Sequence, residues 1–129
     1  MTDGQIGAIE QAIADIYGEK NEGGLLCCTL ETVNADGVDV SIQVMAETIN
    51  LAPYPFTENP LTRFELSGAI DSLEHLELDL IDWDANAFAT VGTSGNDPAD
   101  IARLIDRTFV KLLGCPPGYA LKASTDDLA

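Results

Sequence analysis

Residues 25–44 read LLCCTLETVNADGVDVSIQV, and this stretch decides the fold of the chain. Two runs rich in β-branched and apolar residues flank the turn sequence NADG at positions 34–37, a pattern that predicts a β-hairpin. If Gly37 takes the left-handed conformation at the end of a three-residue loop, Leu30 faces Ile42 across the hairpin. One face of the hairpin is then apolar, and the other carries Glu31, Ser41 and Gln43.

The rest of the sheet is predicted from shorter patterns. The second strand of the hairpin should continue to about Asn50, with a bulge or bend near Met45 and Ala46. Three prolines then predict a loop at 51–60. Two further strands are predicted where apolar and polar residues alternate, around Phe64, Leu66 and Ile70 and around Leu76, Leu78 and Leu80. A fifth strand, from Ala87 to Thr93, is expected after a polar corner at 82–86.

Two amphipathic helices are predicted, one near each end of the chain. The first should run from about Asp3 to Lys20, because isoleucines recur at helical spacing between polar residues. The second should begin after Asp97, an N-cap residue, with Pro98 in its first position, and should end before Gly114. Its apolar stripe consists of Ile101, Leu104, Ile105, Thr108, Phe109 and Leu112.

These elements predict an α+β fold with an antiparallel sheet of four or five strands. The element order is α-β-β-β-β-(β)-α, and the N-terminal and C-terminal helices should pack on one face of the sheet. Residues 1–123 are predicted to form a single domain, because a chain of 129 residues suits one ordinary domain and no linker or repeat interrupts it. Residues 124–129 are predicted to be a frayed C-terminal tail.

The chain is strongly acidic, since 22 Asp and Glu residues oppose 6 Lys and Arg residues and give a formal net charge of −16. This charge should repel phosphate backbones and anionic lipids, so nucleic-acid and membrane binding are not expected. A well-solvated surface is the simplest explanation of the charge, which also suits a basic protein partner, metal cations or a high-salt cytoplasm. The N-terminal residues lack the features of a signal peptide, and the cysteines lack zinc spacing. We therefore expect reduced thiols and a cytoplasmic location.

No pattern in the sequence meets the requirements of a catalytic, cofactor or metal site. His75, Glu77 and Asp79 should share the outward face of one strand, where a solvated polar face explains them better than a metal site. The stretch 82–86 resembles the start of a calcium loop but lacks the later glycine and acidic ligand of such loops. The glycine-containing turn at 92–95 lacks a lysine that would bind phosphate. We assign no catalytic, cofactor-binding or metal residues.

Two aromatic residues in the proline-rich loop, Tyr54 and Phe56, are the candidate protein-binding residues. Aromatic side chains held in a stiff loop often anchor protein interfaces. The alternative is that both rings fold back to cover the core or the open edge of the sheet.

The sequence favours a non-enzymatic, acidic protein-interaction domain, either an adaptor or a chaperone-like protein. Its partner would be another protein or a second copy of the chain. Two alternatives stay open. The first is a small-molecule or metal-binding enzyme that uses His75 and neighbouring carboxylates, and the second is an acidic mimic of nucleic acid that inhibits a basic protein. In size, acidity and terminal helices the chain resembles the small acidic chaperones of bacterial secretion systems. The resemblance covers this outline and no motif, and those chaperones place a helix between their strand groups where this chain has Pro53, Pro55 and Pro60.

Overall fold

The computed structural model describes residues 7–13, 26–45, 48–52, 54, 56–70, 76–85, 87–93, 97–116 and 119–127. The strands within these residues are β1 (Leu26–Val33), β2 (Asp39–Val44), β3 (Thr48–Ala52), β4 (Asp79–Asp84), β5 (Phe88–Gly92) and β6 (Lys122–Asp127). They form one antiparallel sheet in the spatial order β4-β5-β3-β2-β1-β6. The helices are α1 (residues 7–13), α2 (Pro60–Ser67) and α3 (Pro98–Arg107). The α+β class and the antiparallel sheet are confirmed, although the strand number and the helix positions differ from the prediction.

The β1–β2 hairpin has the predicted register, with Leu30 opposite Ile42. Gly37 has a φ of 80°, the left-handed conformation that its place in the loop requires. The Asn34 side-chain oxygen accepts a hydrogen bond from the Val38 N–H at 2.9 Å and holds the loop closed. The Asn34 N–H donates to the Val38 carbonyl oxygen, also at 2.9 Å, so the ladder between the two strands begins at this pair.

The second predicted strand is divided into β2 and β3, which pair antiparallel. The Met45 N–H donates to the Thr48 carbonyl oxygen at 2.9 Å, and the chain reverses direction there. The change of apolar phase therefore marks a new strand, which begins just before Ile49. Ala46, which the predicted bend includes, lies outside the described residues. The predicted loop at 51–60 is shorter than expected, because β3 extends to Ala52.

The prediction of a strand around Phe64, Leu66 and Ile70 is wrong, because residues 60–67 form α2. Asn59 caps this helix through its side-chain oxygen, which accepts a main-chain hydrogen bond at 2.9 Å from Leu61, and proline takes the first helical position. Gly68, with a φ of 78°, ends the helix. Phe64 is 1% exposed and Leu66 is 70% exposed, so their alternation in sequence does not mark a common buried face.

The second half of the sheet starts later than predicted. Leu78 precedes β4, which begins at Asp79 and includes Asp82 and Asp84 of the predicted corner. The turn follows β4, where the Ala87 N–H donates to the Asp84 carbonyl oxygen at 3.0 Å. The predicted fifth strand is present as β5.

The two predicted helices differ in how much of each is described. Ile9 and Ile13 of α1 are fully buried, and the rest of the helix predicted between Asp3 and Lys20 lies outside the described residues. In α3, the Asp97 side chain caps the first turn with a hydrogen bond of 3.0 Å, as predicted, and the predicted apolar stripe is buried. A π-helical turn, Thr108–Leu112, continues α3.

The outer strand β6 is absent from the sequence prediction. Residues 124–127, which the prediction assigns to a frayed tail, continue the strand that starts at Lys122. They pair antiparallel with β1, with Ser124 opposite Thr29. Residues 128–129 lie outside the described part of the chain.

One face of the sheet is buried and the other is polar. Side chains from all three helices, including Ile9, Phe64 and Leu104, pack with the buried face in a single apolar cluster. Half-buried polar residues line the centre of the opposite face: Thr29, Gln43, Asn50 and Thr90. Within the described residues, no helix has the length and apolar character that crossing a membrane would require.

Candidate functional site

A groove of about 160 Å³ lies between α2 and the segment that leads into β4. We call it the α2–β4 groove, and it is lined by Leu61, Phe64, Glu65, Ile70, Leu76 and Leu78. Four of the five apolar lining residues are half-buried, so their side chains are accessible from solvent. A cavity of roughly 150 Å³ accommodates benzene, so the groove has room for one large apolar side chain.

Local sequence signals build the wall of this groove. The capped start at Asn59 and the left-handed Gly68 restrict α2 to two turns. Phe64 is buried in the core and holds the helix there. Leu61 lies three residues earlier, on the same side of the helix, and is half-buried. After Gly68 the Ala69 N–H donates to the Phe64 carbonyl oxygen at 3.1 Å, which turns the chain so that Ile70 completes the groove.

Acidic side chains lie in and beside the groove, and the Lys111 ammonium group donates to the Gly68 carbonyl oxygen at the end of α2, at 3.5 Å. Glu65 lines the groove and is exposed, and the exposed Glu77 and Asp79 alternate with the apolar residues that enter β4. Glu65 is the ionisable residue among the described residues that line the groove. The chemistry of the groove suits the binding of an apolar side chain that belongs to a positively charged segment.

The candidate protein-binding residues Tyr54 and Phe56 belong to an aromatic cluster. Tyr54 is fully buried, and its ring meets the rings of Phe56 and Trp83 edge-on, with centroid distances of 5.4 and 5.8 Å. Its hydroxyl donates to the Glu58 carbonyl oxygen, and burial raises its pKa to about 12. The Arg63 guanidinium lies 4.0 Å above the half-buried Phe56 ring. Tyr54 therefore fills the core, and Phe56 alone of the two reaches the surface.

The predicted ion-binding patterns are only partly described. His75 lies outside the described residues, whereas Glu77 and Asp79 are described and exposed. Within the described residues, no group of three or more His, Cys, Asp or Glu side chains could hold a metal ion. Asp82 and Asp84 of the calcium-like stretch lie on β4 and are both exposed.

A buried polar pair lies beside the C-terminal end of α3. The Tyr119 hydroxyl donates to Asp106 Oδ1 at 2.7 Å, and Asp106 is 1% exposed. Asp106 Oδ2 has no hydrogen-bond partner among the residues that the structure describes. Burial and the hydrogen bond to Asp106 raise the pKa of Tyr119. The pair fixes the segment between α3 and β6 to the helix.

The three cysteines are buried thiols and form no disulfide. Burial raises the pKa of Cys115 from 9.0 to about 11, so this thiol stays protonated at neutral pH. A protonated, buried thiol is a poor nucleophile, which argues against the use of Cys115 in covalent chemistry.

A second cavity, of about 440 Å³, lies where β1 extends beyond the start of β6. We call it the β1 cavity, and its lining consists of Glu31, Thr32, Val33, Asp39, Pro116, Tyr119, Ala120 and Lys122. Val33 is 49% exposed, so an apolar residue at the end of a core strand faces solvent.

The prediction from sequence missed the α2–β4 groove because it missed α2. The signal was present in Asn59, Pro60 and Gly68, which are an N-cap, a first helical residue and a C-terminal stop. Comparison of the chain with protein-family models, with curated proteins and with solved structures gives no match.

Proposed function

We propose that the chain is a non-enzymatic, acidic protein-interaction domain that binds its partner in the α2–β4 groove. The observation that carries this proposal is the groove itself, a solvent-accessible concavity whose described lining consists of five apolar residues and one carboxylate. Accessible apolar surface of this kind, bordered by polar residues, is typical of protein interaction sites. Apolar side chains predominate among the described lining residues, which supports the binding of an apolar side chain there.

The partner is a basic, amphipathic segment of another protein. Its apolar side chains would enter the groove, and its lysine or arginine residues would face Glu65, Glu77 and Asp79. The net charge of −16 increases the rate at which such a cationic segment reaches the surface, and it repels acidic competitors. Phe56 and the aromatic cluster support the site from beside α2, where Arg63 contacts the Phe56 ring.

The chaperone-like form of this proposal has support from the order of elements. The small acidic chaperones that the chain resembles place a helix between their strand groups, and α2 lies between β3 and β4. The presence of Pro53, Pro55 and Pro60 therefore does not distinguish the element order of this chain from that of the chaperones.

Calorimetric titration with two synthetic helical peptides tests the proposal, one built from leucine and lysine and the other from leucine and glutamate. We expect the basic peptide to bind and the acidic peptide not to bind. Leu61→Ser should weaken the binding by about tenfold or more. Leu66→Ser is the matched control, because Leu66 belongs to the same helix, is 70% exposed and does not line the groove.

Equal affinity for the two peptides would contradict the proposal, and so would unchanged binding by a folded Leu61→Ser variant. If the double substitution Asp82→Asn and Asp84→Asn weakens binding more than Leu61→Ser does, the acidic mimic of nucleic acid becomes the better interpretation. Light scattering would show whether a second copy of the chain occupies the groove instead.

A further inference from the structure

The outer strand β6 pairs with β1 through its main chain, and its first three side chains are exposed. Its sequence, KASTDD, consists of residues with low or modest preference for strands, apart from one threonine. Lys122, Ala123 and Ser124, the residues of β6 whose burial the structure describes, are exposed. The neighbouring strand β1, in contrast, contributes the buried residues Cys28 and Leu30 to that core. Residues 122–124 can therefore leave the sheet with little loss of buried apolar surface, whereas β1 cannot.

The hydrogen bonds between the two strands follow from the hairpin register. Asn34 bonds to Val38 through its main chain, so its N–H and C=O point towards β2. Main-chain N–H and C=O groups alternate in direction along a strand. Those of the even-numbered residues of β1 therefore also point towards β2. The N–H and C=O groups of Cys27, Thr29 and Glu31 point towards β6 instead, and each of these residues lies opposite a residue of β6. Any extended peptide could supply these bonds.

The β1 cavity exposes the start of this edge. β6 begins at Lys122, opposite Glu31, and β1 continues to Val33. By the same alternation, the N–H and C=O of Val33 point to the side of β6 and towards the β1 cavity that Val33 lines. An incoming strand could pair with Val33 before it displaces any residue of β6.

We propose that β6 is a displaceable strand that covers a binding edge for an extended segment of a partner protein. The segment enters at the β1 cavity and pairs antiparallel with β1 in place of β6, which is strand addition to a sheet. It carries β-branched apolar residues at the positions of Ala123 and Thr125, opposite Leu30 and Cys28. Such residues would bury more apolar surface than alanine and threonine do. This edge lies at the other end of the sheet from the α2–β4 groove, and the inference does not depend on that groove.

Amide hydrogen exchange of the full chain gives a first test with an internal control. Detachment of β6 frees the amides of Cys27, Thr29 and Glu31, whereas those of Cys28 and Leu30 stay bonded to β2. We expect the first set to exchange faster by a factor on the order of 100. Equal exchange rates for the two sets would overturn the proposal, because β6 would then open only when the whole sheet unfolds.

A pair of proline variants gives a second test. Ser124→Pro removes an N–H that bonds to β1, whereas Ala123→Pro removes one that points away from it. The probe is a synthetic peptide with the sequence of residues 122–127, in which valine and isoleucine replace Ala123 and Thr125.

We expect the affinity of the probe for the Ser124→Pro variant to be at least about tenfold higher than its affinity for the wild-type chain or for the Ala123→Pro variant. Equal binding to the three proteins would overturn the proposal. A Ser124→Pro variant that forms a strand-exchanged dimer and excludes the probe would also overturn it, because the occupant would then be a second copy of the chain.

A disulfide tests the same displacement from the opposite direction. Thr125→Cys places a thiol opposite Cys28 in a pair without hydrogen bonds between the two strands, where Cα atoms lie roughly 4.5 Å apart and a disulfide can form. Oxidation should abolish probe binding and reduction should restore it. Probe binding that survives in the oxidised protein would contradict displacement of β6.

Discussion

The substitution Leu104→Ala measures how firmly α3 is packed on the sheet. Leu104 is fully buried in the apolar cluster, and its carbonyl oxygen accepts a hydrogen bond of 2.6 Å from the Thr108 hydroxyl. Truncation to alanine removes buried methyl groups and leaves a cavity, which costs about 2 to 5 kcal/mol at such sites. Because the hydrogen bond to Thr108 fixes the main chain here, the cavity should collapse poorly. We expect a loss in the upper half of that range, about 3 to 5 kcal/mol.

Urea denaturation followed by circular dichroism measures this loss, with Arg103→Ala as the control. Arg103 is the preceding residue of α3, its side chain is 48% exposed, and it pairs with Asp100 at 3.1 Å. A surface pair of this kind contributes at most about 1 kcal/mol. Alanine is the best helix former, so neither substitution weakens the helix itself. The dependence of the unfolding free energy on urea should stay the same in both variants, since the exposed surface hardly changes.

The reasoning fails if Leu104→Ala costs less than about 1 kcal/mol, or no more than Arg103→Ala does. Either result would place this face of α3 in solvent and remove the helix from the core. An unchanged midpoint with a smaller urea dependence would instead mean that the variant no longer unfolds in a single cooperative step.

Three further predictions concern pH, salt and the start of α2. Burial raises the pKa of Tyr54 from 10.0 to about 12 and that of Cys115 from 9.0 to about 11, so the unfolded chain loses these protons first and stability should fall as the pH rises from 9 to 12. A urea midpoint that stays constant over this interval would contradict the burial of both groups. Screening of the net charge of −16 should raise the melting temperature between low and physiological salt, and a calorimetric scan that shows a flat or falling curve would argue against charge repulsion. Asn59→Ala should cost about 1 kcal/mol in urea denaturation because it removes the α2 cap, whereas Thr62→Ala, on the exposed side of the same helix, should cost less.

The parts of the fold that could be predicted are those in which local signals and tertiary packing agree. The β1–β2 register follows from the loop that ends at Gly37, and α3 follows from the cap at Asp97 and a continuous apolar stripe. In α2 the two kinds of signal disagree. The helix has 8 residues, and an exposed Leu66 makes its apolar pattern resemble that of a strand, so only the cap at Asn59 and the stop at Gly68 reveal it. The α2–β4 groove shares this ambiguity, because α2 forms one of its walls.

The strand β6 could not be predicted from its own sequence. Residues 122–127 show no alternation of apolar and polar side chains, and their pairing depends on the open edge that β1 offers. A strand that forms because a neighbouring strand offers it main-chain hydrogen bonds does not need alternating apolar and polar residues in its own sequence. The same property makes β6 replaceable, since a partner with better strand-forming residues can supply the same main-chain bonds.

The acidic residues of the chain greatly outnumber the basic residues that could form ion pairs with them. With 22 acidic residues and 6 basic ones, most carboxylates have no cation of the same chain to pair with. Asp79, Asp82 and Asp84 place exposed charge along the outer strand β4, which discourages edge-to-edge association there. The two proposed binding places lie at opposite ends of the six-stranded sheet, about 24 Å apart at roughly 4.8 Å for each strand spacing. Two segments could therefore bind at the same time without contact between them.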